Sequence, residues 1–193
     1  MKNISLLLLC ISITLTAFTQ EKNMRKNNTE TYTDQRDGTK YKLIKIGKQI
    51  WMAENLAYKV ETACWAYDDD NSNVSKYGYL YNYETAKNVC PTTDGWRLPT
   101  KSDFDELLQN TGNNHGERYT TLMKNGKSGF ATLNSGWRNL NDTYSHLGKY
   151  AAFVSATETD EKNAWVLYFD GMNAYPFGLT KGMGYSVRCI KDI

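Results

Sequence analysis

The sequence predicts one exported domain of mixed α+β structure. Three observations lead to this prediction: an apolar N-terminal segment, a β-hairpin pattern that begins at residue 41, and two short helical patterns further along the chain. The roughly 170 residues after the apolar segment are enough for one domain with its own hydrophobic core.

The first 19 residues have the features of a secretory signal peptide. Lys2 precedes an apolar run over 4–18, and polar sequence follows it. This run of about 15 residues is shorter than the roughly 20 that span a membrane, and a retained anchor is the alternative. Cys10 follows Leu9, whereas a lipoprotein signal has a small residue there, so we assign Cys10 to the removed segment.

The polar stretch 20–39 lacks apolar periodicity and is predicted to be a flexible leader, with the folded domain over 40–193. Removal of Lys2 leaves 22 basic and 21 acidic residues, so the formal charge is 22 − 21 = +1. This balance argues against a nucleic-acid partner and against a polybasic lipid-binding segment. No further segment is apolar enough to be a transmembrane helix.

The first elements of the domain are read from turns and periodicity. Apolar and β-branched residues over 41–46 and 49–52 flank Gly47-Lys48, which predicts a hairpin. The acidic, Asn- and Ser-rich stretch 63–76 is predicted to be a loop.

Two helices follow. One over 83–89 ends before Pro91, because the residue before proline disfavours helical backbone. The other begins after Pro99 with Thr100 or Ser102 as its cap, and it buries the apolar stripe of Phe104, Leu107 and Leu108.

The second half of the domain reads as loop followed by strands. Segment 116–149 is rich in glycine and is predicted to be a long irregular region. Strands are predicted over 152–156, 164–169 and 185–190. In the middle one, alternation puts Trp165, Leu167 and Phe169 on one face and Val166 and Tyr168 on the other.

Several segments match one family pattern in order. They are KIGKQIWMAENL at 45–56, YGYLY at 77–81, CP at 90–91, GWRLPT at 95–100, SATE at 155–158, NAW at 163–165 and GYSVRC at 184–189. Together they resemble the Fibrobacter succinogenes major paralogous domain family. The resemblance implies a C-type-lectin-like or formylglycine-generating-enzyme-like fold with two helices, short antiparallel strands and long loops.

Three cysteines follow the signal peptide, so at most one internal disulfide forms. In lectin-like domains a disulfide joins a helix to the final strand, and the resemblance therefore implies a Cys90–Cys189 bond. Two buried free thiols are the alternative. Family members often carry a second cysteine shortly after the one that matches Cys64. Val74 stands there instead, so Cys64 is predicted to be the unpaired thiol.

No catalytic group or cofactor is predicted. Cys64 would need a base, and the sequence places neither His115 nor His146 beside it. Formylglycine-generating enzymes use two neighbouring cysteines near the C-terminus, where this chain has only Cys189. No glycine-rich phosphate loop or metal-spaced histidine cluster occurs.

Two acidic groups have ordinary explanations. The run 68–73 fails the EF-hand spacing, because Asn73 and Tyr79 stand where glycine and glutamate are required, so a solvated turn is favoured over a metal site. Asp103, Asp105 and Glu106 suit the N-terminal end of a helix better than paired-carboxylate hydrolysis.

The function expected is that of a non-catalytic surface or secreted module that binds a glycan, another polymer or a protein. The candidate surface is Trp65, Tyr67, Trp137 and Tyr144, aromatic residues in predicted loops beside polar neighbours, although each suits a core as well. The alternatives are a divergent enzyme on the related fold and a structural envelope protein without a ligand.

Overall fold

A computed structural model describes residues 30–193, and the predicted signal peptide, Cys10 and the first part of the leader lie outside the described residues. Regular structure begins at Thr31, earlier than the predicted start at residue 40. Thr31–Thr33 pairs with the next strand, and the buried carboxylate of Asp34 accepts hydrogen bonds from Arg36. The pairing explains the difference, since a three-residue edge strand has no periodicity to read.

The described chain is mostly β, with four helices. The strands are β1 (Thr31–Thr33), β2 (Lys40–Ile46), β3 (Gln49–Met52), β4 (Cys64–Trp65), β5 (Leu80–Tyr81), β6 (Ser135–Arg138), β7 (Tyr144–Leu147), β8 (Ala151–Glu158), β9 (Asn163–Phe169), β10 (Ala174–Thr180), β11 (Tyr185–Ser186) and β12 (Ile190–Asp192). The helices are α1 (Val74–Tyr77), α2 (Tyr83–Val89), α3 (Lys101–Gln109) and α4 (His115–Leu122). Short 3-10 turns cover Tyr67–Asp69, Asn71–Asn73 and Thr92–Asp94.

The strands form two sheets. The smaller has the order β1-β2-β3-β12, and the larger has the order β10-β9-β8-β11-β5-β4 with β6 and β7 attached beside β8. The β2–β3 hairpin is confirmed, and Gly47 adopts the positive φ of 61° that its turn requires. The α+β class is therefore correct, with antiparallel pairing predominating.

The last predicted strand is in fact two. β11 lies between β5 and β8 in the larger sheet, whereas β12 pairs with β3 in the smaller one. The backbone between them carries Val187, Arg188 and Cys189, all buried. We call 185–192 the closing segment, because it completes both sheets.

Both predicted helices are present, and their sequences explain their ends. Asn82 caps α2 by accepting from the backbone N–H of Thr85. Thr100, one of the two predicted caps, forms a reciprocal capping box with Asp103 at the start of α3. The predicted stripe of α3 is fully buried.

The predicted loop over 116–149 contains regular structure. It contains most of α4 and the whole of β6 and β7. Strand β10, which lies after this region, was also not predicted. α4 buries only Thr121 and Leu122, so it has almost no apolar periodicity. β10 contains Pro176, which the structure accommodates at the edge of the sheet.

Buried side chains cover opposite faces of β8 and β9. On the inner face, Phe153, Leu167 and Phe169 pack in one cluster with Phe104 of α3. On the outer face, Val154 and Val166 pack in another cluster with Ala86 of α2. α2 covers only part of the outer face.

The predicted disulfide is present. Cys90 directly follows α2, and it is bonded to Cys189 across a sequence separation of 99 residues, with 5.8 Å between the Cα atoms. Both cysteines are buried in the outer-face cluster. Within residues 30–193, none of the helices combines the length and apolar character that a membrane span requires.

Candidate binding surface

The four aromatic residues predicted as a binding surface do not form one surface. Tyr67 and Trp137 are buried, with 6% and 8% of their surfaces exposed. Trp65 and Tyr144 are half-buried. Three of the four gather on one side of the β6–β7 hairpin, and Trp137 contacts a different set of rings.

The first group centres on Arg138. Its guanidinium lies 4.2 Å from the centre of the Trp65 ring, and the Tyr67 and Tyr144 ring centroids are 5.2 Å apart. The Tyr144 hydroxyl donates to Oδ1 of Asp69 at 2.5 Å. Burial, together with the Asp69 carboxylate, raises the pKa of Tyr144 to about 12. The hydrogen bond from Tyr144 to Asp69 therefore connects the turn at Asp69 to the β6–β7 hairpin.

Trp137 belongs to a larger array, which we call the aromatic surface. Its six members are Trp137, His146, Tyr150, Tyr168, Tyr175 and Phe177. The ring centroids of Trp137 and Tyr168 are 6.0 Å apart. The Tyr168 centroid in turn lies 5.7 Å from that of Tyr175 and 5.8 Å from that of Phe177. The array therefore continues across neighbouring strands.

The strand register builds this surface. Tyr168 is paired directly with Tyr175, and Phe177 lies opposite Val166, so alternation directs these rings to the outer face of the sheet. They lie beyond the part of that face that α2 covers. The aromatic surface is thus the uncovered continuation of a buried sheet face.

His146 contributes through an unusual backbone. It has a φ of +69°, a left-handed conformation that is uncommon for histidine, and it remains exposed. Its ring stacks on Trp137 at 4.3 Å and on Tyr150 at 4.9 Å, with interplanar angles of 21° and 19°. The opposite position, Gly136, also has a positive φ, and a Cβ there would lie 2.3 Å from the Ser145 carbonyl oxygen. The hairpin backbone is therefore shaped to hold a histidine flat against two rings.

Exposure and ionisation suit this array to contact with a ligand. Phe177 is 48% exposed, and Tyr150, Tyr168 and Tyr175 are each half-buried. Burial raises the pKa of Tyr168, and burial together with Asp170 raises that of Tyr175. Both hydroxyls therefore stay protonated at neutral pH and can donate hydrogen bonds.

Five of the six members escaped prediction from the sequence. Tyr168 had a usable signal, because alternation already placed it on the face opposite Phe169. Tyr175 and Phe177 lie on β10, which was not predicted. His146 lies in the predicted loop 116–149, and Tyr150 directly follows that loop, before the predicted strand 152–156.

Cys64, the predicted unpaired thiol, is free in the structure and half-buried on β4. Burial raises its pKa, although the backbone at Val60 and the charge of Lys59 oppose this. His146 stacks within the aromatic surface, and His115 lies 3.3 Å from the Ala174 carbonyl oxygen. A thiol with a raised pKa is a poor nucleophile at neutral pH.

The acidic candidates are engaged in local contacts. Asp70 accepts from the backbone N–H and hydroxyl of Ser72. Asp103 pairs with Arg97 at 2.6 Å, and Asp105 with Lys101 at 2.7 Å, at the beginning of α3. Over residues 30–193, no three Asp, Glu, His or Cys side chains converge as a metal site would require.

Comparison with known families identifies most of this chain. Residues 44–191 match the family model described as the Fibrobacter succinogenes major domain. The matched range includes the disulfide and the whole aromatic surface. No protein with a curated description matches the sequence significantly.

Proposed function

This chain belongs to the Fibrobacter succinogenes major domain family, and we propose that it is an exported, non-catalytic module that binds a glycan on the aromatic surface. The observation that carries the proposal is the continuous set of rings on an otherwise buried sheet face, of which all but Trp137 are at least partly exposed. An exposed aromatic group of this kind, bordered by polar residues, is typical of a recognition surface.

The chemistry of the rings favours a saccharide. Sugar rings present flat faces of C–H groups edged by hydroxyls, and tyrosine offers a flat apolar face with a hydroxyl at its tip. Tyr150, Tyr168 and Phe177, which are all at least partly exposed, succeed one another at about 6 Å, so the surface is longer than one sugar ring. We therefore propose an oligosaccharide or polysaccharide as the ligand.

Export and the finer fold assignment belong to the same proposal. The Cys90–Cys189 disulfide suits an oxidising compartment outside the cytosol. The same bond links the end of a helix to the closing segment, which supports a C-type-lectin-like or formylglycine-generating-enzyme-like fold.

A glycan array probed with the oxidised chain lacking residues 1–19 tests the proposal. We expect selective retention of a set of glycans and a loss of about tenfold in affinity for each ring removed in Tyr168→Ala and Tyr175→Ala. Tyr77→Ala is the matched control, because Tyr77 is half-buried in α1 outside the aromatic surface. Uniform silence on the array would favour a structural envelope protein, and equal binding by all variants would exclude this surface.

A further inference from the structure

A second feature lies away from the aromatic rings. A cavity of about 170 Å³ has Arg188 of the closing segment in its wall, together with Lys42, Glu54, Asn55, Lys76 and Lys124. Arg188 is 1% exposed, whereas the three lysines are exposed. The cavity thus joins a buried guanidinium to a basic rim.

Neutral groups hold Arg188 in place. Its Nε donates to Oδ1 of Asn55 at 3.1 Å, and its terminal nitrogens donate to the carbonyl oxygens of Phe130 and Ala131. The Phe130 and Phe153 rings lie 4.3 and 5.1 Å from the guanidinium carbon. Guanidinium has five N–H donors, and these contacts use three of them.

The backbone beneath the guanidinium is also unusual. Ala131 adopts a φ of +55°, a left-handed conformation that is unfavourable for alanine. Such backbone persists where surrounding contacts enforce it, and it is concentrated at functional sites. The Ala131 carbonyl is one of the groups that orient Arg188.

The charge of Arg188 lacks a direct counter-ion within residues 30–193, where it forms no salt bridge with a carboxylate. Burial lowers the pKa of Arg188 to about 9, although Glu54 partly opposes this. Glu54 itself accepts the backbone N–H of Lys42 at 2.7 Å. Four cationic side chains and one carboxylate thus line the cavity. A buried charge without an ionic partner destabilises the folded state, so an anion in the cavity would be favourable.

We propose that this cavity binds a single small oxyanion, a carboxylate, sulfate or phosphate group, with Arg188 as its main donor and the lysines at its entrance. Arginine is suited to such groups because its fork of N–H donors matches two oxygens. The cavity is well below the roughly 300 Å³ of a typical site for a whole organic ligand, so it fits one acidic group rather than a sugar ring. This site does not depend on the proposed function of the aromatic surface.

Oxyanion binding is tested with the oxidised chain lacking residues 1–19. Two quantities are measured, the NMR chemical shift of the Arg188 Nε–H and the midpoint of thermal unfolding. Sodium glucuronate, sulfate and phosphate are titrated separately, with glucose and sodium chloride at matched ionic strength as controls. We expect at least one oxyanion to shift the Arg188 resonance saturably and to raise the midpoint of unfolding by about 4 °C. A response to glucuronate alone would identify the ligand as a sugar acid, and a response to sulfate or phosphate alone would identify it as an inorganic ion.

Variants at the rim keep the test independent of folding, since Arg188→Lys alters a buried position. The double variant Lys76→Gln/Lys124→Gln changes only exposed side chains and is expected to weaken oxyanion binding about tenfold. Lys162→Gln, in the turn between β8 and β9, is the matched control and is expected to bind as the unsubstituted chain does. An Arg188 resonance that no oxyanion moves, or equal affinity in the double variant and the control, would overturn the proposal.

Discussion

The two faces of β9 carry aromatic residues that differ in their exposure to solvent. Phe169 is fully buried on the inner face, where it contacts Phe153 and Tyr119. Its neighbour Tyr168 faces the other way and stays half-buried among rings that reach solvent. Aromatic content alone therefore does not separate core rings from surface rings, whereas the sheet face on which a ring lies does.

The largest expected effect comes from the inner face. Phe169→Ala removes a fully buried ring and leaves a cavity, so we expect the free energy of unfolding to fall by about 3–5 kcal/mol. Denaturant titration of the oxidised chain measures this. Phe169→Leu is the control and should lose much less, and a fall below about 1 kcal/mol in the alanine variant would contradict a rigid inner face.

The next effect concerns the covered part of the outer face, which α2 occupies. Cys90→Ala/Cys189→Ala removes the bond that fixes the end of α2, and we expect a loss of about 2–5 kcal/mol, because the bond closes a long loop. Cys64→Ala is the matched control and should leave the unfolding midpoint nearly unchanged, since that thiol is free. Equal midpoints for the double variant and the control would show that packing alone holds α2.

A smaller effect concerns α3, whose apolar stripe packs on the inner face. Burial alone would raise the pKa of Asp103, but hydrogen bonds from Arg97 and Thr100 outweigh it and lower the pKa below its ordinary value. Because the pKa of Asp103 is lower in the folded chain than the 3.8 of the unfolded chain, its ionised carboxylate stabilises the fold at any pH above 3.8. This contribution to the free energy of unfolding is lost as the pH falls through the folded-state pKa.

Asp103→Asn should therefore reduce stability by about 1–2 kcal/mol at neutral pH and make stability less sensitive to acid. Urea unfolding across a pH series measures both quantities. Asp105→Asn is the control, because its partner Lys101 and its exposure make it a surface pair of little weight. Parallel pH profiles for Asp103→Asn and the unsubstituted chain would refute this role.

The smallest effect on stability is expected at the uncovered rings. Tyr168→Ala should lower the free energy of unfolding by less than about 1 kcal/mol while it weakens glycan binding, because this ring already contacts solvent on one side. Tyr168→Phe separates the ring from its hydroxyl and should retain most of the stacking. A stability loss in Tyr168→Ala as large as that of Phe169→Ala would remove the distinction between the faces.

Strong local signals made much of the fold predictable. The turn at Gly47-Lys48, the cap at Thr100 and the proline after Cys90 each fix backbone geometry through covalent or nearest-neighbour chemistry. The resemblance supplied the disulfide pairing, which spacing alone leaves open. These features define the hairpin, both helices and the Cys90–Cys189 bond.

The remainder depends on contacts between distant segments. β10 becomes a strand because β9 offers it an edge, although Pro176 and Gly178 disfavour the assignment locally. The closing segment changes sheets within six residues, 185–190, which no periodicity reveals. For the same reason the rings of the aromatic surface came together only in three dimensions, and the cavity at Arg188 was not anticipated.

The closing segment also dictates when this fold can be finished. A polypeptide that emerges in the N-to-C direction leaves β3 and β5 with open edges, and Cys90 without its mate, until the closing segment arrives. A chain that ends just before Tyr185 lacks both strand partners and the second sulfur. Such a truncated copy leaves the edges of β3 and β5 unpaired, and unpaired strand edges promote aggregation.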